Sequence, residues 1–358
     1  MSARARRLIL WLVVAVVTSA CAVSGGRQAV VDPTDPLECA TGGSAGLDPE
    51  RLASLPFRVG YADASVSYRA QYPFGADQQR DVPIRIWYPT DFDGRAPVVL
   101  VSHGGIGCAT GHTSFAYLGQ EFAGNGYLSV HLAHLPSADE IHQRWDRPQD
   151  VSAVLDAIID DPEALPEGFT GELDAGRVGH LGHSWGAYAA HALAGAEFLD
   201  PFDPEGPRVT FRDPRVDAFV ALSPQGWGQF GSFDVEHDLA TPSPDNSWRT
   251  VSTPAYNLVG SLEADGVAGY DLGLPGTYRG QDWRMFPFAR YPADGRRYLT
   301  VLEGQTHANL GGEAAAEVNA FVAANSRTFF DAYLRGDTES EPRIGDVLAL
   351  PDALTDRR

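Results

Sequence analysis

The chain has 358 residues, enough for one large α/β domain or two small ones with a sizeable core. With 44% hydrophobic and 21% charged residues, its composition is globular and excludes wholesale disorder. The formal charge of -20, from 47 acids against 27 bases, repels phosphate backbones and anionic lipid surfaces and so argues against a nucleic-acid partner.

Residues 1–21 read as an export address rather than as part of a fold. Arg4, Arg6 and Arg7 precede an apolar run over 8–17, and Thr18-Ser19-Ala20 supply small residues ahead of Cys21. The run is about half the roughly 20 residues that a membrane-spanning helix needs, so no mature transmembrane helix is expected. Small residues followed by cysteine resemble the lipobox of bacterial lipoproteins, which implies lipid attachment at Cys21. Thr18 departs from the Leu usual in that motif. Plain secretion, with cleavage near Ala20 or Ala22, is the alternative. Either route gives an extracytoplasmic protein, secreted or lipid-anchored, whose only membrane contact is the anchor. In that oxidising setting Cys39 and Cys108 are candidates for one disulfide.

Residues 22–55, rich in Gly, Ser, Pro and Asp and without apolar periodicity, read as a flexible tether. Alternation at Val66 and Tyr68, a turn over 72–75 and alternation again over 83–88 predict two antiparallel strands opening a sheet. From residue 97 the pattern changes. The continuous apolar run at 98–101 predicts a strand buried on both faces. A helix follows, with Phe115, Leu118 and Phe122 on one face, closed by Gly124-Asn125-Gly126. Next come a strand over 127–132 and a helix behind Pro148 carrying Val151, Val154, Leu155, Ile158 and Ile159. Strands over 177–181, 216–222, 255–259 and 298–302 follow, and a last helix carries Val318, Phe321, Val322, Phe329 and Tyr333.

Strands alternating with helices predict an α/β fold with a mostly parallel, doubly wound sheet and helices on both faces. The domain spans 56–336, and 337–358 reads as a C-terminal tail. Two irregular stretches leave the carboxyl ends of strands, where open α/β sheets place ligand crevices. One, over 224–252, holds Trp227, Phe230, Phe233 and Trp248; the other, over 264–296, holds Tyr270, Tyr278, Trp283 and Phe286. Such aromatics either shape an apolar cleft or pack the loops down.

The chemistry centres on Gly182-His183-Ser184-Trp185-Gly186, a Gly-x-Ser-x-Gly motif between an apolar strand and a small-residue helix. A serine on that turn is exposed on a strained backbone, and the flanking glycines avoid a Cβ clash. The motif alone also describes an ordinary Gly-rich turn. Serine needs a general base and a group that orients it. His307, in the short loop between the last strand and the last helix, stands where the base is required. Glu263, after the strand over 255–259, is the leading orienting acid, with Asp265 the alternative. Backbone N–H groups for a tetrahedral oxyanion are expected from Trp185 and from the Gly-rich loop 102–107. His131-x-x-His134 and His180-x-x-His183 are not expected to bind a metal, because a three-residue offset on a strand sends the two rings to opposite faces.

Ser102-His103-Gly104, Arg147-Pro148-x-Asp150, the elbow at 182–186, Ala221-Leu222-Ser223-Pro224 and Glu303-Gly304-x-x-His307 occur in that order. Over roughly 57–335 the chain thereby resembles the platelet-activating-factor acetylhydrolase and dienelactone-hydrolase-like branch of the α/β hydrolases. The resemblance implies an α/β-hydrolase fold, Ser184 and His307 as nucleophile and base, and Gly105 and Trp185 as oxyanion donors. Eukaryotic lipid acetylhydrolases carry their acid at a position that looks like Ser223 here; bacterial relatives carry it at the position of Glu263. The cysteine nucleophile of dienelactone hydrolases is replaced by Ser184. The expectation is an exported serine carboxylic-ester hydrolase acting on small or lipid-like esters without metal or cofactor. An amidase or peptidase on the same triad, or a non-catalytic surface lipoprotein using the fold to bind, are the alternatives.

Overall fold

Successive side chains of an extended strand point to opposite sides, and the run at 98–101 uses both. Val98 and Leu100 enter one hydrophobic cluster, and Val99 and Val101 enter another across the sheet. The computed structural model describes residues 22–30, 45–105, 107–108, 110–137, 140–198, 200, 206–226, 247–263, 281–350 and 353–358. In chain order its first elements are β1 (Ala22–Val30), α1 (Pro49–Ala53), β2 (Val59–Ala70), β3 (Gln78–Pro89) and β4 (Arg95–Ser102). Then come α2 (Ala116–Gly124), β5 (Leu128–Leu132), α3 (Glu140–Asp160), β6 (Glu172–His183) and α4 (Trp185–Leu193). A small pair, β7 (Glu197–Phe198) and β8 (Val209–Thr210), precedes β9 (Val216–Leu222) and β10 (Ala255–Gly260). The last elements are α5 (Gln281–Arg290), β11 (Arg297–Leu302), α6 (Ala316–Leu334) and β12 (Ala353–Arg357).

Among the described residues the main sheet has ten strands in the order β1-β2-β3-β5-β4-β6-β9-β10-β11-β12. From β5 through β11 all neighbours are parallel; β1, β2 and β3 at one side and β12 at the other pair antiparallel. Side chains of α3, α4 and α5 share the cluster on one face with Val98 and Leu100, while α2 and α6 share the other with Val99 and Val101. This is a mostly parallel α/β sheet flanked by helices on both faces, an arrangement compatible with double winding.

The structure departs from the sequence reading at its margins. Ala22–Val30, inside the stretch read as a tether, pairs antiparallel with β2, and α1 is capped by Asp48, whose side chain accepts the Arg51 N–H. Within the tail, Ala353–Arg357 forms an edge strand on β11. Pro148 does not start α3 but lies inside it. A proline there removes the bond to the carbonyl four residues back; the Tyr188 hydroxyl donates to that Arg144 carbonyl instead, at 3.3 Å. Part of the second irregular stretch is the helix α5. Its Trp283 and Phe286, like Trp248 of the first stretch, are buried, and Trp248 and Phe286 meet edge-on at 5.4 Å. These three aromatics pack the loops down rather than line a cleft; Trp227, Phe230, Phe233, Tyr270 and Tyr278 lie outside the described residues.

Candidate active site

Five adjacent parallel strands, β4, β6, β9, β10 and β11, bring their carboxyl ends together, and the residues that follow them meet there. Ser184 stands between β6 and α4 with φ 52° and ψ -116°, a left-handed conformation that is costly for a residue with a Cβ. The turn is closed by backbone contact. A Cβ on Gly182 would lie 2.1 Å from the Gly186 carbonyl, and one on Gly186 would lie 2.1 Å from the Ser102 carbonyl oxygen. Glycine is therefore required at both places. The Ser184 N–H donates to the Leu222 carbonyl at 3.0 Å, fixing the turn to β9.

Glu263 follows β10 and is fully buried. Its Oε2 accepts from His307 Nδ1 at 3.1 Å, and its Oε1 accepts from the Gly260 N–H at 3.0 Å and the Ser223 hydroxyl at 2.5 Å. Arg284 Nε lies 2.9 Å from Oε2 as an ion pair, although the N–H is not aligned for a hydrogen bond. Arg284 Nη1 donates to the Ser223 and Pro224 carbonyls at 2.6 and 3.2 Å. Burial raises the carboxyl pKa, but the hydrogen bond from His307 and the Arg284 charge outweigh it and leave Glu263 below the usual carboxylate range. It is ionised, and its geometry fixes the His307 tautomer with the proton on Nδ1. Burial, then the Arg284 charge, lower the His307 pKa more than Glu263 raises it.

His307 is tied to the elbow through His183. Burial first, then the His307 ring and Arg284, hold His183 well below the ordinary imidazole value, so it is neutral and donates Nε2–H to the His307 carbonyl at 3.0 Å. The two rings lie 4.6 Å apart between centroids. Among the described residues the Ser184 hydroxyl makes no hydrogen bond, to His307 or elsewhere, and His307 Nε2 is unengaged. Free enzymes commonly hold nucleophile and base looser than the substrate complex does.

The loop after β4 faces Ser184. A Cβ on Gly104 would lie 3.1 Å from the Ser184 Cβ, whereas Gly105, at φ 72°, has open space where its Cβ would be. Trp185 is buried as the first residue of α4. Asp265 and Cys21 lie outside the described residues. So does Cys39, while Cys108 is a free thiol whose Sγ lies 3.3 Å from Thr110 Oγ1.

The paired histidine motifs serve separate partners. His131 contacts Ser129 and the Ser114 carbonyl, whereas His134 Nδ1 bonds Asp150 and its Nε2 bonds Ser102, each at 2.9 Å. His180 Nε2 reaches the same Ser102 hydroxyl at 2.9 Å. Ser102, His134 and Asp150 thus form a hydrogen-bonded Ser-His-Asp array of their own, but all three are fully buried, so no substrate reaches that hydroxyl.

Sequence reasoning missed the roles of Ser223, Arg284 and Arg147. Ser223 ends β9 beside the elbow strand, a position that signals proximity to the site. Arg284 lies in a stretch without periodicity and carried no signal. Compared with known proteins, the chain matches no family model and no curated sequence.

Proposed function

We propose that the chain is a serine hydrolase of the α/β-hydrolase type, with a Ser184-His307-Glu263 triad. More particularly, it is an exported carboxylic-ester hydrolase acting on small or lipid-like esters, akin to the platelet-activating-factor acetylhydrolase and dienelactone-hydrolase-like branch. The observation that carries this reading is the backbone-strained Ser184 at a strand-to-helix turn, linked through His183 to a histidine whose Nδ1–H is held by a buried carboxylate. The chain order serine, acid, histidine and the position of each after a parallel strand further support it.

In the reaction, Ser184 Oγ attacks the ester carbonyl carbon and its proton passes to His307 Nε2. Glu263 stabilises the imidazolium, and the N–H groups of Gly105 and Trp185 receive the oxyanion. Collapse expels the alcohol, which takes the proton from His307. Water, activated by the same imidazole, then cleaves the acyl-enzyme and restores the Ser184 hydroxyl. Secretion or lipid attachment at Cys21 places this chemistry outside the cytoplasm. No residue of the proposed mechanism calls for a metal or cofactor.

The test is hydrolysis of p-nitrophenyl esters of rising chain length, beside matched anilides, by wild type and Ser184→Ala. Labelling by an active-site phosphonate locates the nucleophile. Loss of turnover in Ser184→Ala and labelling at Ser184 are expected; Glu263→Gln should lower kcat by about 10³ to 10⁴ through loss of the held tautomer. Undiminished hydrolysis by Ser184→Ala would refute the assignment, and faster anilide than ester cleavage would move it to amidases.

A further inference from the structure

Arg147 is fully buried on α3 and meets no carboxylate within ion-pair distance among the described residues. Its fork instead engages the loop after β4: Nη1 donates to the His103 carbonyl and Nη2 to the Gly105 carbonyl, both at 2.6 Å, while Nε donates to Gln143 Oε1 at 2.7 Å. The intervening carbonyl, of Gly104, accepts from His103 Nδ1 at 2.7 Å. That tautomer is fixed, because His103 Nε2 accepts the His134 N–H at 3.0 Å. Three successive carbonyls are therefore held by buried side chains.

A trans peptide points its N–H opposite to its C=O, and the described chain holds no cis peptide. Holding the His103 carbonyl thus aims the Gly104 N–H, and holding the Gly104 carbonyl aims the Gly105 N–H, away from those side chains. Among the described residues neither amide donates a hydrogen bond. Gly104 lies beside Ser184, and the next residue, Gly105, has open space where its Cβ would be.

We propose that Arg147 is a positioning residue: by holding the His103 and Gly105 carbonyls on either side of the peptide that His103 Nδ1 orients, it clamps the loop after β4 so that the Gly105 N–H is preorganised for an oxyanion at Ser184. The proposal rests on the serine-hydrolase reading above. Burying a guanidinium among neutral acceptors is unfavourable unless its hydrogen bonds are satisfied. Here all three nitrogens are engaged, and although burial lowers the Arg147 pKa to about 9, it remains charged at neutral pH. The clamp is itself anchored. One turn along α3, Asp150 takes two bonds from Arg80 at 2.8 and 2.9 Å and one from the Tyr68 hydroxyl at 2.8 Å. Through His134 it reaches Ser102, the last residue of β4 before the loop. The buried Ser102-His134-Asp150 array is in this account a brace that fixes loop and helix to each other.

The experiment compares wild type, Arg147→Met, Arg147→Lys and Gln143→Met, counting active sites by phosphonate titration. The readouts are kcat per titrated site, KM, and the inhibition constant of an arylboronic acid that forms a tetrahedral adduct on serine. For Arg147→Met the expected loss is about 10²-fold in kcat per site, with KM nearly unchanged and boronate affinity falling in step. Arg147→Lys, which reaches one carbonyl rather than two, should fall between Arg147→Met and wild type, and Gln143→Met should show a smaller loss of the same kind. Should Arg147→Met fail to fold, the other two variants decide. Wild-type kcat per site in the folded variants, with only the number of titrated sites reduced, would overturn the clamp and leave a merely structural arginine. An unlabelled Ser184 in the wild type would overturn the hydrolase reading and the clamp together; a labelled wild type with unaffected variants overturns the clamp alone.

Discussion

His307 lies between opposed influences. Burial and the Arg284 guanidinium favour the neutral ring, Glu263 favours the charged one, and the balance lies below the ordinary value of 6.5. The proposed mechanism needs the neutral ring, which can take the Ser184 proton. Activity should therefore be present above the folded pKa and lost as pH falls through it, giving kcat/KM an acid limb centred below 6.5. Arg284→Gln removes one lowering influence, so the limb should move to higher pH and activity near neutrality should fall relative to the alkaline plateau. A pH profile of kcat/KM for the two proteins decides this, and an unmoved limb in Arg284→Gln would show that the arginine acts only by holding the carbonyls of Ser223 and Pro224. The Glu263 carboxylate meets Gly260, Ser223 and His307 from three strand ends and Arg284 from α5.

At the scale of elements, α3 joins the entry strands to the site. Asp150 and Asp146 both meet Arg80 of β3, and Asp150 also takes Tyr68 of β2. Removing one partner of a buried, hydrogen-bonded pair strands the other and costs about 3–5 kcal/mol. Asp150→Ala should accordingly lower the unfolding free energy by an amount of that order, read as a lower urea midpoint with little change in slope, whereas Ser67→Ala on the exposed part of β2 should stay within about 0.5 kcal/mol of wild type. Equal midpoints for Asp150→Ala and wild type would remove the brace. Elements built on burial were legible in the sequence: the buried positions of β4, β9 and β10 are apolar except for Ser102 and Asn257, and the expected strand over 216–222 coincides with β9. Elements held by backbone pairing or by tertiary context were not. The side chains of β12 are almost all exposed, so it has no apolar pattern and is a strand only because β11 offers an edge. Likewise α5 contains Pro287 and lacks a helical stripe, yet buries Trp283 and Phe286. The same division runs through the site. Ser184 and His307 carry motif and position; Arg147 and Ser223 stand inside recognisable segments, 147–150 and 221–224, but their contacts, like those of Arg284, are set by tertiary neighbours that no local pattern encodes.

At the scale of the molecule, the sheet gathers the candidate site at the carboxyl ends of its central strands, and the chain as a whole carries a formal charge of -20. Two cations among the described residues of the candidate site, Arg147 and Arg284, are buried and committed to carbonyls and to Glu263, so they offer little to an approaching anion. The long-range field is therefore set by the acids, and it opposes anionic substrates while leaving neutral ones unaffected. Salt screens such a field, with a Debye length of about 10 Å at 0.1 M. For a pair of p-nitrophenyl esters equal in length, one ending in a carboxylate and one in a methyl group, raising salt from about 10 mM to about 0.5 M should increase kcat/KM for the anion several-fold. The neutral ester should hardly respond. The effect belongs in kcat/KM rather than in kcat, because the field acts on encounter and not on the bound complex. A neutral preference that vanishes in salt would assign the substrate charge rule to the surface as a whole, whereas an anion rate that is flat or falls with salt would place an accessible cation at the mouth of the site.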